Sequence, residues 1–336
     1  MINILFVDDQ LNILGGLRRM LRSYRREWNM NFVSGGLEAL QWLDENPCDI
    51  VVSDMRMPLM DGSQLLTRVR DQHPATMRLV LSGQSEGPAI LRAITCAHQF
   101  LAKPSTPDLI KSTISAAIEL RSCLDNEDHQ TQAMGVGSLP SDVRLHERLE
   151  RAIRHSKDFE AALNIAISDP AVSAKALQVV NSSFLGPPSA CEDPAAAVKL
   201  LGLDNLAAIL AADVFVHASD EQRQLVNDHA QFTQQVAAQA FEIAKLFGLD
   251  HAAAVRARTA GQLHLIAQLF DGTEQFSPLS HIQQVSTSAF LLGIWGVPKA
   301  TVKAITNCLN PGDGDATEMD AATSVHLARH LVRVRA

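Results

Sequence analysis

Five residues suited to phosphate and hard-cation chemistry follow short apolar runs in the first third of this chain. Ile2–Val7 runs into Asp8 and Asp9, Ile50–Ser53 into Asp54, Leu79–Leu81 into Ser82, and Phe100-Leu101 leads to Lys103-Pro104. Three carboxylates drawn together repel one another, and a Mg²⁺ ion, which favours oxygen ligands and retained waters, offsets that repulsion. The same ion would align a phosphoryl donor for in-line attack by the Asp54 carboxylate. Lys103 supplies a compact positive charge for phosphoryl oxygens, and the Ser82 hydroxyl a hydrogen bond. The chemistry these types suggest is phosphoryl transfer to Asp54.

Such residues must be carried to one place. Between the apolar runs lie helical patterns, Leu14, Leu17 and Leu21, then Leu37, Leu40 and Leu43. Strand alternating with helix predicts a parallel sheet covered on both faces, with ligands beyond the carboxyl ends of its strands. Taken singly, each signal is weak: an acidic pair after a strand is often a helix cap, and Lys-Pro is often a turn. Their joint placement at strand ends is what carries the reading.

At 336 residues, two domains are the natural expectation, and a hydrophobic fraction of 46% supplies two cores. The net charge of −8 disfavours a general nucleic-acid binder. Arg18, Arg19, Arg22, Arg25 and Arg26 read as a solvated face of the first helix, with a local basic patch as the alternative. The five cysteines form no paired metal motif and read as reduced thiols. Neither a signal-peptide pattern nor an uninterrupted apolar stretch of about 18 residues is found, so a soluble cytoplasmic protein without membrane contact is expected.

The strand–helix pattern stops near Leu120. Residues 121–137 are polar and carry Gly135 and Gly137, which reads as a linker, and no strand pattern is evident from Leu139 onward. Helices are expected at Asp142–His155, Asp158–Ile167, Val172–Asn181, Pro194–Leu200, Leu203–His217, Glu221–Phe247, Asp250–Phe270, His281–Trp295, Lys299–Cys308 and Ala316–Val334. The expected domains are therefore 1–120, a linker over 121–137, and an all-helical 138–336.

Phe6-Val7-Asp8-Asp9, Ser53-Asp54-Met55-Arg56-Met57-Pro58, Met60-Asp61-Gly62, Leu81-Ser82-Gly83 and Leu101-Ala102-Lys103-Pro104 resemble the receiver domain of two-component response regulators. The resemblance implies a flavodoxin-like (βα)₅ fold with sheet order 2-1-3-4-5. It also implies phosphorylation of Asp54 by a histidine kinase or phosphotransfer protein. Mg²⁺ would be held by Asp8, Asp9, Asp54 and the backbone carbonyl of Arg56. It further implies a cis bond before Pro104 and a switch role for the aromatic residue three before the lysine, here Phe100. Lacking a hydroxyl, Phe100 can switch by burial but not through a side-chain hydrogen bond.

The second half resembles the HDOD domain, a helical relative of HD-type metal phosphohydrolases. The matching stretches are Ser138-Leu139-Pro140, Ile167 to Ala171, Lys175 to Phe184, Ala196 to Gly202, Ala260 to His264 and Leu291 to Pro298. Where the hydrolases pair His with Asp, this chain has His264-Leu265. The first expected histidine falls on Phe232, with His229 three residues away, and Cys308-Leu309-Asn310 replaces a His-His pair. Leucine and phenylalanine cannot ligate a metal, so the alternative of a metal-dependent phosphohydrolase or cyclic dinucleotide phosphodiesterase is disfavoured. The expectation is a non-catalytic module that binds signalling proteins, with Asn181–Pro194 and its Phe184 as a candidate docking loop. Phosphorylation would change how this domain is displayed or whether it dimerises. The output half holds no basic recognition helix.

Overall fold

The computed structural model describes residues 1–83, 93–121, 124, 126–182, 190–270, 278–311 and 319–335. The chain forms two compact units that divide at Gly137 and Ser138. In the first, β1 (Ile2–Val7), β2 (Trp28–Val33), β3 (Ile50–Asp54), β4 (Met77–Gly83) and β5 (Gln99–Lys103) make one parallel sheet in the order β2-β1-β3-β4-β5. The central strands are apolar on both faces, as double coverage requires, and Ile4, Leu5, Val51, Leu79 and Val80 have no exposed surface. Helices α1 (Leu11–Met20), α2 (Gly36–Glu45), α3 (Gly62–Gln72) and α4 (Pro107–Arg121) supply that cover. Asp61 starts α3 with a reciprocal cap: its carboxylate accepts from Gln64 N–H, and the Gln64 side chain accepts from Asp61 N–H.

The stretch read as a linker contains helix α5 (Glu127–Gly135), which belongs to the first unit and packs on α3. Its anchor is a carbonyl. Met134 O accepts hydrogen bonds from the Arg78 guanidinium and from His98 Nε2, the latter at 2.9 Å. Because His98 Nδ1 accepts from Arg78 N–H at 3.1 Å, its proton must sit on Nε2, facing Met134.

The second unit contains α6 (Val143–Arg151), α7 (Phe159–Ser168), α8 (Pro170–Val180), α9 (Pro194–Ala211), α10 (Asp220–Leu246), α11 (His251–Leu263), α12 (His281–Ile294), α13 (Lys299–Asn307) and α14 (Ala321–Arg335). Their starts are signalled locally. Asp158, Asp169, Asp193 and Asp250 cap α7, α8, α9 and α11, and Ser219 and Ser280 form capping boxes with Gln222 and Gln283. Every residue of helix α8 is buried, the polar Ser173, Lys175 and Gln178 included. The α10–α11 crossing is close because Gly261 faces Ala237; a Cβ at Gly261 would lie 2.9 Å from Ala237 Cα.

Two expectations need correction. The second unit is not wholly helical: β6 (Leu139–Ser141) pairs in parallel with β7 (Phe215–His217), so the expected helix Leu203–His217 ends at Ala211. Three-residue strands are too short to show alternation, and Phe215-Val216 suits a strand. The expected helices Pro194–Leu200 and Leu203–His217 join into α9 across Gly202, whose φ of 70° breaks the helical path. Helix α9 also has the length and hydropathy to cross a membrane, although Lys199 and Asp204 interrupt its apolar run. It packs on α7 and α8.

A serine, a histidine and an aspartate meet at β6. Ser141 Oγ donates to Asp169 and lies 2.9 Å from His146 Nε2. The hydroxyl sits between imidazole and carboxylate, so this is not a relay in which histidine draws a proton from serine toward aspartate. Asp169 also caps α8 through Ala171 N–H at 2.7 Å, so the network joins β6, α6 and α8. Burial pushes His146 down to about 4, leaving it neutral at neutral pH.

Candidate functional site

The strand register carries the five residues to one end of the sheet. Val7 is level with Ser53, Asp54 with Leu81, Ser82 with Ala102, and Gly83 with Lys103, so Asp8, Asp54, Ser82 and Lys103 lie at adjoining carboxyl ends. The Lys103 ammonium donates to Asp8 Oδ2 at 2.7 Å and to Asp54 Oδ1, bridging residues 95 and 49 positions away. The Lys103-Pro104 bond is cis, as the receiver resemblance implies.

Asp54 and Asp8 are buried, at 4% and 2% exposure. Asp54 Oδ2 accepts from Arg56 N–H at 2.8 Å, and Asp8 Oδ1 from Gln10 N–H at 2.9 Å. Burial raises the Asp54 carboxyl above its ordinary range against the opposing pull of Lys103. Burial pulls Lys103 down, but the hydrogen bonds and charges of Asp54 and Asp8 outweigh it and raise the ammonium. Ser82 and Phe100 are buried beside these groups on β4 and β5.

The carboxylates here are of the type a divalent cation takes as donors. Asp8, Asp9 and Asp54 offer hard oxygens, and Asp9 Oδ1 is buried with no hydrogen-bond partner. Among the described residues, however, no three His, Cys, Asp or Glu side chains are gathered as a metal cluster. Lys103 bridges Asp8 and Asp54 in the arrangement seen. Arg56 turns its N–H to Asp54 Oδ2.

The loop after Asp54 is packed without slack. Gly62 N–H donates to Met55 O at 3.0 Å, and a Cβ at Gly62 would lie 2.2 Å from Asp54 O. That neighbour is backbone and cannot swing away. Gly62→Ala is therefore expected to displace Asp54 and destabilise the first unit by about 2 kcal/mol or more on the scale of overpacking, lowering its denaturation midpoint. A urea titration of the full chain checks this; an unchanged midpoint would show that the α3 start can retreat at no cost.

In the second unit, Phe232 does lie against His264, with ring centroids 6.3 Å apart. His229 Nε2 meets Leu265 O at 2.9 Å, and His264 Nδ1 meets Gly261 O at 2.9 Å. Burial pushes His229 down to about 4, and burial with the neighbouring Arg329 charge drives His264 well below its usual value. The Arg329 guanidinium, from α14, reaches Cys308 O at 3.3 Å and the His281 ring. A buried fixed cation beside imidazoles, with leucine at the position after His264, does not fit a divalent metal centre. Nothing in the sequence reading singled out Arg329. The candidate docking residues Phe184, Leu185, Pro187 and Pro188 lie outside the described residues. Asn181, before them, is joined to Cys191 by two hydrogen bonds of 2.9 and 2.7 Å.

Residues 4–115 match the response regulator receiver domain, and residues 139–274 match the HDOD domain. The chain is a receiver domain followed by an HDOD domain. A 118-residue stretch is 32% identical to the hydrogenase transcriptional regulatory protein HoxA of Cupriavidus necator, over 34% of this chain and 24% of that protein. A 120-residue stretch is 33% identical to the sensor kinase CckA of Brucella abortus, over 34% of this chain and 12% of that protein. The chain therefore spans only about a quarter of the length of HoxA and less of CckA. The solved signal receiver domain of an HD domain-containing protein from Pseudomonas fluorescens Pf-5 is 30% identical, covering 37% of this chain and 98% of that one with a TM-score of 0.35.

Proposed function

We propose that Asp54 is the phosphoacceptor of the receiver and that its phosphorylation gates a non-catalytic, partner-binding HDOD domain. The observation that supports this most is the Lys103 bridge to Asp8 and Asp54 at the strand ends. An Asp54 oxygen forms the new bond to phosphorus as the donor's bond to phosphorus breaks, and the departing histidine nitrogen or acetate oxygen keeps the electron pair. Asp8, Asp9, Asp54 and the Arg56 carbonyl would hold Mg²⁺, which neutralises charge on the phosphoryl group when bound. The Arg56 N–H keeps the second Asp54 oxygen turned away from the reacting one.

Lys103 then exchanges Asp54 for the phosphoryl oxygens, and Ser82 donates to another. Movement of Ser82 from its place on β4 gives Phe100, on neighbouring β5, room to repack. The face expected to change runs through residues 90–94 and 109–118, of which 90–92 lie outside the described residues. Donors would be a histidine kinase or a phosphotransfer protein, and a cytoplasmic setting follows from that role. The HDOD domain would offer a surface to signalling proteins rather than hydrolyse a phosphodiester, because Arg329 stands beside its histidines.

Intact-mass analysis after incubation with acetyl phosphate and Mg²⁺ tests the acceptor. Wild type is expected to gain one phosphoryl group and Asp54→Ala none, whereas full labelling of the variant would remove Asp54 from the role. Capture of partners from native lysate, with and without beryllofluoride, then tests the gate: an identical set in both states would argue against it.

A further inference from the structure

The arginine cluster is not absorbed by phosphoryl chemistry. Residues 18–26 contain five arginines and no carboxylate, in a chain of net charge −8. All five are exposed, and among the described residues no ion pair joins any of them to a carboxylate. Arg18 and Arg25 line a cavity of about 440 Å³ together with five consecutive residues of β2, Trp28 to Phe32. Consecutive strand residues point to opposite faces, so a cavity touching all of them runs along the strand's edge.

That edge carries unused hydrogen-bonding groups. Strand β2 is the last of the sheet and, among the described residues, pairs only with β1. Ile2 N–H donates to Glu27 O and Asp8 N–H to Val33 O. In parallel pairing, alternate residues turn both backbone groups to the same neighbour, so Asn29 and Asn31 also face β1. The backbone groups of Trp28, Met30 and Phe32 consequently face outward.

We propose that the free edge of β2 takes an extended acidic peptide as an added strand, its carboxylates paired with Arg18, Arg25 and their arginine neighbours. The topology further defines the ligand. Right-handed crossovers place α1, which leads to β2, and α2, which leads away from it, on opposite sheet faces. The α2 side presents Glu38, Asp44 and Glu45 beside Val33. A strand alternates its side chains, so carboxylates belong at every second position, toward α1, with uncharged or basic residues between them. Single-stranded nucleic acid fits less well, because it needs open aromatic faces for its bases. Phe32 is already stacked on Phe6 and covered by the Arg18 guanidinium, and Trp28 is buried against Tyr24.

The probe is a fluorescent ten-residue peptide of alternating glutamate and threonine, titrated into the full chain and read by anisotropy. Saturable binding is expected, weakened about tenfold or more by Arg18→Glu with Arg25→Glu, and likewise by Met30→Pro, which removes an outward N–H. In the wild type, hydrogen exchange at Trp28, Met30 and Phe32 should slow with peptide present, a readout independent of how either variant folds. Absence of saturable binding would overturn the proposal. So would binding that leaves those amides unprotected, or tighter binding of an equally charged oligonucleotide.

Discussion

Arg78→Met is expected to lower the stability of the receiver by about 2–4 kcal/mol and to release helix α5. The Arg78 side chain is 1% exposed, yet no carboxylate pairs with its guanidinium among the described contacts. Carbonyl oxygens hold it instead: Cys96 O at 2.6 Å, Thr76 O at 3.0 Å, and Met134 O on α5. Burial pulls the guanidinium down to about 9, which still leaves it charged at neutral pH. Methionine would remove the cost of burying that charge, a gain that offsets part of the loss. It would also strip donors from three buried carbonyls at about 1–3 kcal/mol each; among the described residues, only Met134 O keeps a second side-chain donor, His98. The loss therefore wins. Urea titration of the full chain should show the receiver's transition at lower concentration with an unchanged slope, while the HDOD transition stays in place. Hydrogen exchange should show α5 opening before the sheet. If α5 kept its protection, Met134 would not be its anchor, and Arg78 would be only a filler of the core.

The site was legible in the sequence because its residues stand where apolar runs end, and a parallel sheet brings all such ends together. The strand order put Asp8, Asp54 and Lys103 side by side, which no linear spacing shows. Arg78 was not legible. It sits at the second position of β4 in Met77-Arg78-Leu79, where an arginine reads as an edge residue facing water, and its acceptors come from 76, 96 and 134. Arg329 is hidden for a similar reason, since it stands among His326, His330 and Arg333 on one helix. The β6–β7 pair was hidden by its length. What sequence pattern conveys is the period of burial, and a single polar residue turned inward against that period leaves no trace in it.

Lys175 gives the second large effect, and its sign is opposite. The residue has no exposed surface on the wholly buried helix α8; its ammonium donates to Gln178 Oε1 at 3.0 Å and lies 3.8 Å from the centre of the Trp295 ring. These contacts do not cancel the cost of burial, which pushes the lysine down to about 7 from an ordinary 10.5. The unfolded chain therefore holds this proton up to about pH 10.5, while the folded chain gives it up near 7. Between those values the unfolded state binds more protons, so stability should rise with pH by up to roughly 1.4 kcal/mol per unit. Below pH 7 both states are protonated and the penalty is complete; above 10.5 both are neutral and it is gone. Lys175→Met keeps the length and packing of the side chain without the charge. The variant is expected to be more stable than wild type by several kcal/mol at pH 7, with the difference shrinking steadily as pH approaches 10. Denaturant midpoints of the HDOD transition at pH 6, 7, 8 and 9 measure both curves. Parallel curves would mean that the lysine keeps its proton in the folded state, with Trp295 and Gln178 bearing the charge at no net cost. Convergence at high pH would establish a neutral lysine in the HDOD core, a group whose ionisation works against the fold that encloses it.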